Sequence, residues 1–526
     1  MKKICRLLAL VLAVLLLTGC AGLTSALNGT EMVPYRDMDY TRPDMDAMQQ
    51  ALDHAVTLSR QEDPDTQLKQ LINAIYAFYK EYDGFYTNQA LADIATCRDL
   101  TDIYWEAEYA FCLEHAAQAD AMLEQLYMAL ARSPFRSALE SDLYFGEDYF
   151  DAYEGEATYD EGYLALVDRE SGLISRYYEL SAQAPDYSTD YYDICADDLA
   201  QLLVDLVRVR KEIAAYMGYI DYPRFAIDFY YYRDYTAVQA EQYLKDIAQY
   251  LVPIYRDLGP GIAERYQSAE DALAFLRTAA DNMGGTIRDA FRLMERAGLY
   301  DITYSENKYN ASFEIYLPLY YEPFVFINPA MTRYDCLTLS HEFGHFCNDY
   351  ACYGSYAGID VLEFFSQGME YLALCYGEDT DDLVQMKLED SLYLFVEQAA
   401  FARFEQEMYR LPDEQLNPEG LYALYESIVL EYGFDTVVYD RREFVDITHY
   451  YTNPMYILSY IFSNDAAMQL YQMEQESAGT GLKLYETNLA SQQSWFLAFL
   501  KEAGLKSPFS PGRVEQIAAT FQKKLK

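Results

Sequence analysis

Basic residues are scarce in this chain of 526 residues, where 39 Lys and Arg stand against 84 Asp and Glu and the formal net charge is −45. Nucleic-acid binding needs Lys and Arg to displace counterions from phosphates. The sequence therefore predicts no nucleic-acid partner. The negative electrostatic field of the chain favours cationic peptides or metal ions. Histidine is scarcer still, with only five copies, so two histidines at a regular spacing are informative.

Cysteine pairs and long apolar runs are also lacking. None of the nine cysteines forms a Cys-x-x-Cys pair, and seven remain besides Cys5 and Cys20, an odd number that cannot all pair. We expect buried free thiols rather than a disulfide framework. After the first 20 residues no segment stays apolar for 18 residues, so no further membrane-spanning helix is expected.

The composition is that of a globular protein, with 52% apolar and 23% charged residues over a length that suits two or three packed subdomains. Apolar residues three and four apart predict helices at Thr66–Tyr82, Leu199–Met217 and Ala237–Tyr255. Aromatic and β-branched runs at Phe313–Tyr316 and Phe324–Ile327 predict a small β-hairpin or meander. Such a strand either pairs with an extended peptide or serves only as a structural sheet.

The N-terminus has the order of features found in an exported protein. Lys2, Lys3 and Arg6 precede the apolar run Leu7–Leu17, which is too short to span a bilayer. The run ends in Leu17-Thr18-Gly19-Cys20, which resembles the lipobox of bacterial lipoproteins. That resemblance implies removal of residues 1–19, acylation of Cys20, a tether at 20–30 and a lipid-anchored place on the membrane outside the cytoplasm. An uncleaved signal anchor is the alternative.

A metal-binding pattern lies in the second half of the chain, at His341-Glu342-Phe343-Gly344-His345. On a helix, residues four apart differ by about 40°, so both imidazoles face one side and can share a tetrahedral metal. Glu342 is displaced by about 100° from His341, within reach of a water at the metal without being a ligand. The pattern predicts one Zn²⁺ per chain, with Glu342 as general base.

Zinc needs a third protein ligand and an open position. Glu363, Gln367 and Glu370 recur at i, i+4 and i+7 on the next predicted helix. We assign Glu363 as the ligand and Glu370 as an acid that orients a ligand imidazole. Asp360 and Glu370 are the competing ligands. Cys347 points about 200° away from His345 on the same helix and is a poor candidate.

These residues resemble the thimet oligopeptidase and oligoendopeptidase F family of zinc peptidases. The resemblance rests on His-Glu-Phe-Gly-His and on Glu363-x-x-Ser366-Gln367-x-x-Glu370. Three further segments fit, at Arg210–Tyr219, Phe324–Asn328 and His449–Tyr456. It implies a mainly α-helical, two-lobed zincin-type peptidase with a deep central channel, which restricts substrates to short unfolded peptides. The expected organisation is an N-terminal helical region at 31–199 and a catalytic region at 200–526.

The sequence departs from the family at Asn348, where many members carry a further His, at Phe365, where the family has Pro, and in a shorter loop before Glu363. The resemblance implies that His449 and Tyr456 donate hydrogen bonds to the oxyanion, although aromatic residues at such spacings also pack helices together.

Two other functions compete with a zinc endopeptidase. A zinc aminopeptidase lacks support because no Gly-x-Met-Glu-Asn signature is present. A non-catalytic metal- or peptide-binding lipoprotein has no use for Glu342. The oligomeric state stays open.

Overall fold

The computed structural model describes residues 32–61, 64–141, 143–154, 161–181, 189–258, 265–434 and 439–525. The predicted signal peptide at residues 1–19, the predicted lipidation site Cys20 and the tether lie outside the described residues. Within the described ranges, no helix combines the length and the apolar character needed to cross a membrane.

Helices dominate the described chain, as the apolar spacings predict. Those before the sheet are α1 Met45–Ser59, α2 Pro64–Arg98, α3 Ile103–Ala131, α4 Arg136–Leu139, α5 Glu161–Ser181, α6 Thr189–Tyr216, α7 Tyr222–Phe225, α8 Ala237–Tyr250, α9 Val252–Arg256, α10 Ala269–Met283 and α11 Gly285–Ala297. Those after it are α12 Asp335–Cys352, α13 Ile359–Tyr376, α14 Asp381–Met408, α15 Pro418–Glu431, α16 His449–Thr452, α17 Leu458–Glu476, α18 Thr480–Asn488, α19 Phe496–Ala503 and α20 Arg513–Lys524.

The predicted helices lie inside longer or broken ones. Thr66–Tyr82 falls within α2, and Leu199–Met217 covers the last two thirds of α6 and one residue beyond its end. The predicted helix Ala237–Tyr255 is interrupted at Leu251, between α8 and α9. Pro253 stands in the first turn of α9, where its missing N–H costs no hydrogen bond, so the chain starts a new helix there.

Two hydrophobic cores support the two-lobed expectation. One is formed by α1, α2, α3 and the short helices up to Tyr153, with Phe78, Phe85 and Tyr127 fully buried. The other includes the C-terminal part of α2, with Leu91 and Ile94, and extends from α5 and α6 through the later helices and the sheet. The division of the chain at residue 199/200 stays a prediction. All seven cysteines in the described ranges are free thiols, five of them buried.

A small sheet lies beside the helix that carries the metal motif. Its strands are β1 Tyr300–Asp301, β2 Ser312–Leu317 and β3 Glu322–Ile327, in the order β1-β3-β2. β2 and β3 form the predicted antiparallel hairpin, with Phe313 opposite Phe326, whereas β1 adds a parallel partner that the sequence did not indicate. β3 is buried along its length, and β2 is an edge strand of the described sheet. The mainly helical fold with a small sheet at this place is confirmed.

Candidate metal centre and active site

A fixed turn sets the start of α12. The carboxylate of Asp335 accepts the backbone N–H groups of Ala330 at 2.9 Å and Thr332 at 3.1 Å. Between them Met331 adopts a left-handed conformation with φ 59°. The turn aims α12 along the sheet, and the helix presents His341 and His345 on the same side, with ring centroids 5.2 Å apart.

Gly344 explains how the next helix comes close enough to supply a third ligand. A Cβ atom at this position would lie 2.5 Å from the carbonyl oxygen of Phe365 and 2.6 Å from the Cα of Ser366. The backbones of α12 and α13 therefore touch at Gly344. Glu363, one turn before this crossing on α13, is brought to the histidines as a result.

The structure brings the three predicted ligands together. Ligand atoms of His341, His345 and Glu363 all lie within 4.8 Å of one another. Two imidazole nitrogens and one carboxylate oxygen form a donor set that suits zinc and leaves a coordination position open. Glu363 is buried, and its Oε1 accepts a hydrogen bond from the Tyr456 hydroxyl at 2.9 Å. Its Oε2 accepts one from Ser366 at 3.2 Å and lies 3.6 Å from His341 Nε2.

The two competing ligands have other partners. Asp360 lies outside the cluster, with its carboxylate 3.4 Å from the buried guanidinium of Arg233. Glu370 forms a 2.9 Å hydrogen bond with His341 Nδ1, the contact expected of an acid that orients a ligand imidazole. Cys347 is buried in the core, on the far side of α12. Glu363 therefore lies with the two histidines, whereas Asp360 and Glu370 have other partners.

The two histidines have opposite electrostatic surroundings. Burial lowers the pKa of His341, but the hydrogen bond to Glu370 and the charges of Glu342, Glu370 and Glu363 outweigh it and raise that pKa to about 9. Burial, with His341 next to it, lowers the pKa of His345 to about 3. A metal must therefore displace a proton from His341, while His345 is already neutral.

Glu342 is placed for proton transfer. Its carboxyl group is buried yet lines a cavity of about 400 Å³, together with His341, Ser312 and Tyr460. Burial raises its pKa, as does the charge of Glu363, against the opposing influences of His341 and Ser312. A carboxyl group whose pKa moves toward neutrality suits general acid–base work.

The aromatic segment that begins at His449 lies beside the same site. His449 stacks on Tyr456 with ring centroids 4.9 Å apart, and its Nε2 lies 3.3 Å from the Tyr460 hydroxyl. Burial lowers the pKa of His449 to about 4, so the ring is neutral near pH 7. Burial and the nearby Glu363 hold the pKa of Tyr456 well above its usual range, so its hydroxyl keeps its proton. Both groups are hydrogen-bond donors within one aromatic cluster next to Glu363.

Several residues of the site escaped sequence reasoning. Lys387 of α14 is buried, with its ammonium 2.8 Å from Glu370 and 3.5 Å from Asp390. The Tyr334 hydroxyl donates to Asp390 at 2.9 Å, which extends the hydrogen-bonded network from His341 to the start of α12. Tyr460 lines the cavity where only Tyr456 was expected to act. A lysine in the middle of a helical pattern does not indicate a functional residue. Tyr460 could have been found from the sequence, because it lies four residues after Tyr456 in the same aromatic run.

Comparison with known proteins agrees with this geometry. Residues 35–158 match the profile of the Peptidase M3 N-terminal domain. This chain shares the fold of a provisionally assigned oligoendopeptidase F, at 21% identity and a TM-score of 0.79 over 94% of this chain and 98% of that one. The predicted resemblance to the oligoendopeptidase F family is thereby confirmed.

Two further solved structures share this fold. PZ peptidase A, with an inhibitor bound, has a TM-score of 0.78 at 19% identity, over 93% of this chain and 98% of that one. A provisionally assigned oligoendopeptidase F from Bacillus anthracis str. Ames has a TM-score of 0.76 at 20% identity, over 94% and 98%. At such identities the likeness establishes the fold. A search of curated protein sequences finds no significant match.

Proposed function

We propose that this protein is an M3-family peptidase, a zinc-dependent endopeptidase that hydrolyses short peptides outside the cytoplasm, where Cys20 anchors it to the membrane through lipid. The observation that carries the proposal is the group formed by His341, His345 and Glu363, with the carboxyl group of Glu342 on the wall of the same cavity. The fold similarity to proteins named oligoendopeptidase F supports cleavage within peptides rather than at their ends.

Each residue then has a task. His341, His345 and Glu363 would hold one zinc ion per chain, which supplies Lewis acidity at the scissile carbonyl. Glu342 accepts a proton from the attacking water and returns it to the leaving amine. His449 and Tyr456 donate hydrogen bonds to the developing oxyanion, and the Tyr456 hydroxyl releases its hydrogen bond to Glu363 to do so. Glu370 keeps His341 in the tautomer that presents Nε2 to the metal.

The sheet offers a place for the substrate backbone. β2 is an edge strand of the described sheet, and its first residue, Ser312, lines the cavity beside Glu342. An extended peptide paired with β2 would therefore pass close to the metal site. Because this mode uses backbone hydrogen bonds, it binds short unfolded peptides of many sequences.

Metal analysis and an internally quenched peptide with a blocked N-terminus test the proposal together. The wild-type protein should contain about one zinc per chain, cleave the peptide and lose activity with a chelator. Glu342→Gln should keep its zinc and lose activity by about a hundredfold or more, whereas Glu363→Ala should lose zinc. Glu389→Gln, on the exposed side of α14, is the matched control and should behave as wild type.

Two results would contradict the proposal. Glu342→Gln with near-normal turnover would refute the mechanism, and a fully metallated Glu363→Ala protein would refute the ligand assignment. Cleavage of peptides with a free N-terminus but not of blocked peptides would instead identify an aminopeptidase. A protein that binds zinc and cleaves neither kind of peptide would be a metal-binding lipoprotein.

A further inference from the structure

The segment His449–Tyr456 is held by buried charged side chains from distant parts of the chain. Arg210 of α6 is fully buried, and its guanidinium donates to the backbone carbonyls of Tyr450 at 2.6 Å and Tyr451 at 2.5 Å. Its Nε donates to Glu170 at 2.6 Å. The charge of Arg210 is thus compensated by one carboxylate, while its other donors fix the backbone that follows His449.

Both backbone polar groups of Met455, its N–H and its carbonyl, are held by hydrogen bonds. Its N–H donates to the buried carboxyl group of Glu405 at 2.7 Å, and its carbonyl accepts a hydrogen bond from Arg233 at 2.9 Å. Between these contacts Met455 adopts φ 66°, a conformation that a non-glycine residue keeps only when its surroundings enforce it. The next residue is Tyr456, so the same contacts set the direction in which its ring leaves the backbone.

Arg233 also reaches the helix that carries Glu363. Its Nε lies 3.4 Å from the carboxylate of Asp360, which stands three residues before Glu363 in the first turn of α13. Its Nη2 donates to Ser459 at 2.7 Å, and its guanidinium lies 4.2 Å from the centroid of the Tyr231 ring. Exposure of the Arg233 and Asp360 side chains is 2% and 3%, respectively.

An irregular backbone delivers Arg233 to this position. The chain passes through a π-helical turn at Ala226–Tyr230, and Tyr232 then takes φ 52°. Arg233 follows at once, with its own N–H bonded to the carbonyl of Ile227 at 2.9 Å. Burying a guanidinium and two carboxyl groups at one point costs desolvation energy that packing alone would avoid.

From these contacts we infer that Arg233 is a positioning residue, which together with Asp360 holds Tyr456 and Glu363 in one fixed relation. Arg233 joins the turn before Tyr456 to the first turn of α13, and the Tyr456 hydroxyl meets Glu363 at 2.9 Å on the far side. The contacts of Arg233 on one side and the hydrogen bond between Tyr456 and Glu363 on the other therefore connect the same two segments at two points. This inference rests on the proposed peptidase function, because it assigns Tyr456 a part in the reaction.

Arg233→Lys is the test, because lysine keeps the charge but lacks the fork that reaches Met455, Ser459 and Asp360 together. With zinc bound, kcat should fall about tenfold to a hundredfold while KM changes little, as expected for a displacement of about 1 Å at the reacting groups. In a Tyr456→Phe background the same change should cost less than about twofold, because Arg233 acts through Tyr456. Release of zinc to a chelator should also become about threefold faster or more.

Arg513→Lys is the matched control. Arg513 is another buried arginine paired with an aspartate, with its Nε donating to Asp465 at 2.7 Å away from the cavity lining. It should lose thermal stability to a similar degree and keep both kcat and the rate of zinc release. Asp360→Asn, a smaller change, should show the Arg233→Lys effects in weaker form and serves if Arg233→Lys does not fold.

The outcomes distinguish the proposed function from the inference about Arg233. A wild-type protein that cleaves no peptide would overturn the proposed function and this inference with it. An active wild type in which Arg233→Lys and Arg513→Lys lose activity equally would overturn the inference alone. So would an effect of Arg233→Lys that persists at full size in the Tyr456→Phe background.

Discussion

Replacing Gly344 with alanine tests whether the close contact of α12 and α13 places the metal ligand. The added Cβ would lie 2.5 Å from the Phe365 carbonyl oxygen and 2.6 Å from the Ser366 Cα, both backbone atoms that cannot rotate away. An ordinary contact is 3.4 Å or more, so the helices must separate by about 0.9 Å, the difference between 3.4 Å and 2.5 Å. Glu363 lies on the displaced helix and moves with it.

Two measurable effects follow from that displacement. Zinc–oxygen bonds lie within a narrow range of about 2.0–2.2 Å, so a ligand displaced by nearly 1 Å should weaken zinc binding by about ten- to a hundredfold. Overpacking of the helix contact should also lower the free energy of unfolding by about 1–3 kcal/mol. Alanine gains about 1 kcal/mol in helix propensity over glycine, which partly offsets this loss.

Gly172→Ala is the control for the gain in helix propensity from glycine to alanine. Gly172 lies in α5, where an added Cβ meets no atom within 4 Å. Both variants gain the same propensity, so the difference between them isolates the clash. Zinc affinity measured by competition with a chelator, and unfolding measured by chemical denaturation, give the two numbers. A Gly344→Ala protein with wild-type zinc affinity would show that the close contact does not place Glu363.

Three further predictions concern other parts of the chain. Cys20→Ala should release the protein from the membrane, and mass spectrometry that finds a mature N-terminus elsewhere would contradict the lipobox. His449→Ala and Tyr456→Phe should each lower kcat by about a hundredfold with little change in KM; if both stay within about threefold of wild type, the segment only packs. Burial raises the pKa of Glu405 to about 8 from 4.5, so between these values the folded state binds a proton that the unfolded state has released, and stability falls as the pH rises. Glu405→Gln should remove this slope in denaturation experiments at pH 5 and pH 8, and an unchanged slope would refute the shift.

The fold could be predicted where a pattern is local. Apolar spacings predicted α2, α6 and α8, and aromatic and β-branched runs predicted β2 and β3, because each pattern reports which side of one element faces the core. The strand β1 escaped because two residues contain no period. The chain break at Leu251 escaped because Pro253 is compatible with the first turn of a helix as well as with its end.

The same distinction explains how much of the site could be predicted. His341, Glu342 and His345 lie on one helix, so their spacing alone fixes their relative directions. Glu363 could be assigned from the pattern of the next helix, but Asp360 and Glu370 stayed competing ligands because spacing alone does not separate them. The structure supplies the physical reason, because Asp360 faces Arg233, which is 127 residues earlier in the sequence, and no spacing reports such a partner.

The residues that escaped prediction share one property. Gly344 stands in the middle of a helix where alanine has the better propensity, Arg233 and Lys387 are cations in a core, and Met455 has a positive φ. Each breaks the local rule for its position, and each lies within one or two contacts of a predicted ligand or donor. Natural sequences keep such exceptions where function requires them, since elsewhere a consistent choice is more stable. Burial of a cation alone does not locate the site, because Arg513 is also buried against an aspartate; what distinguishes Arg233 and Lys387 is that their carboxylate partners, Asp360 and Glu370, lie on the helix that carries Glu363.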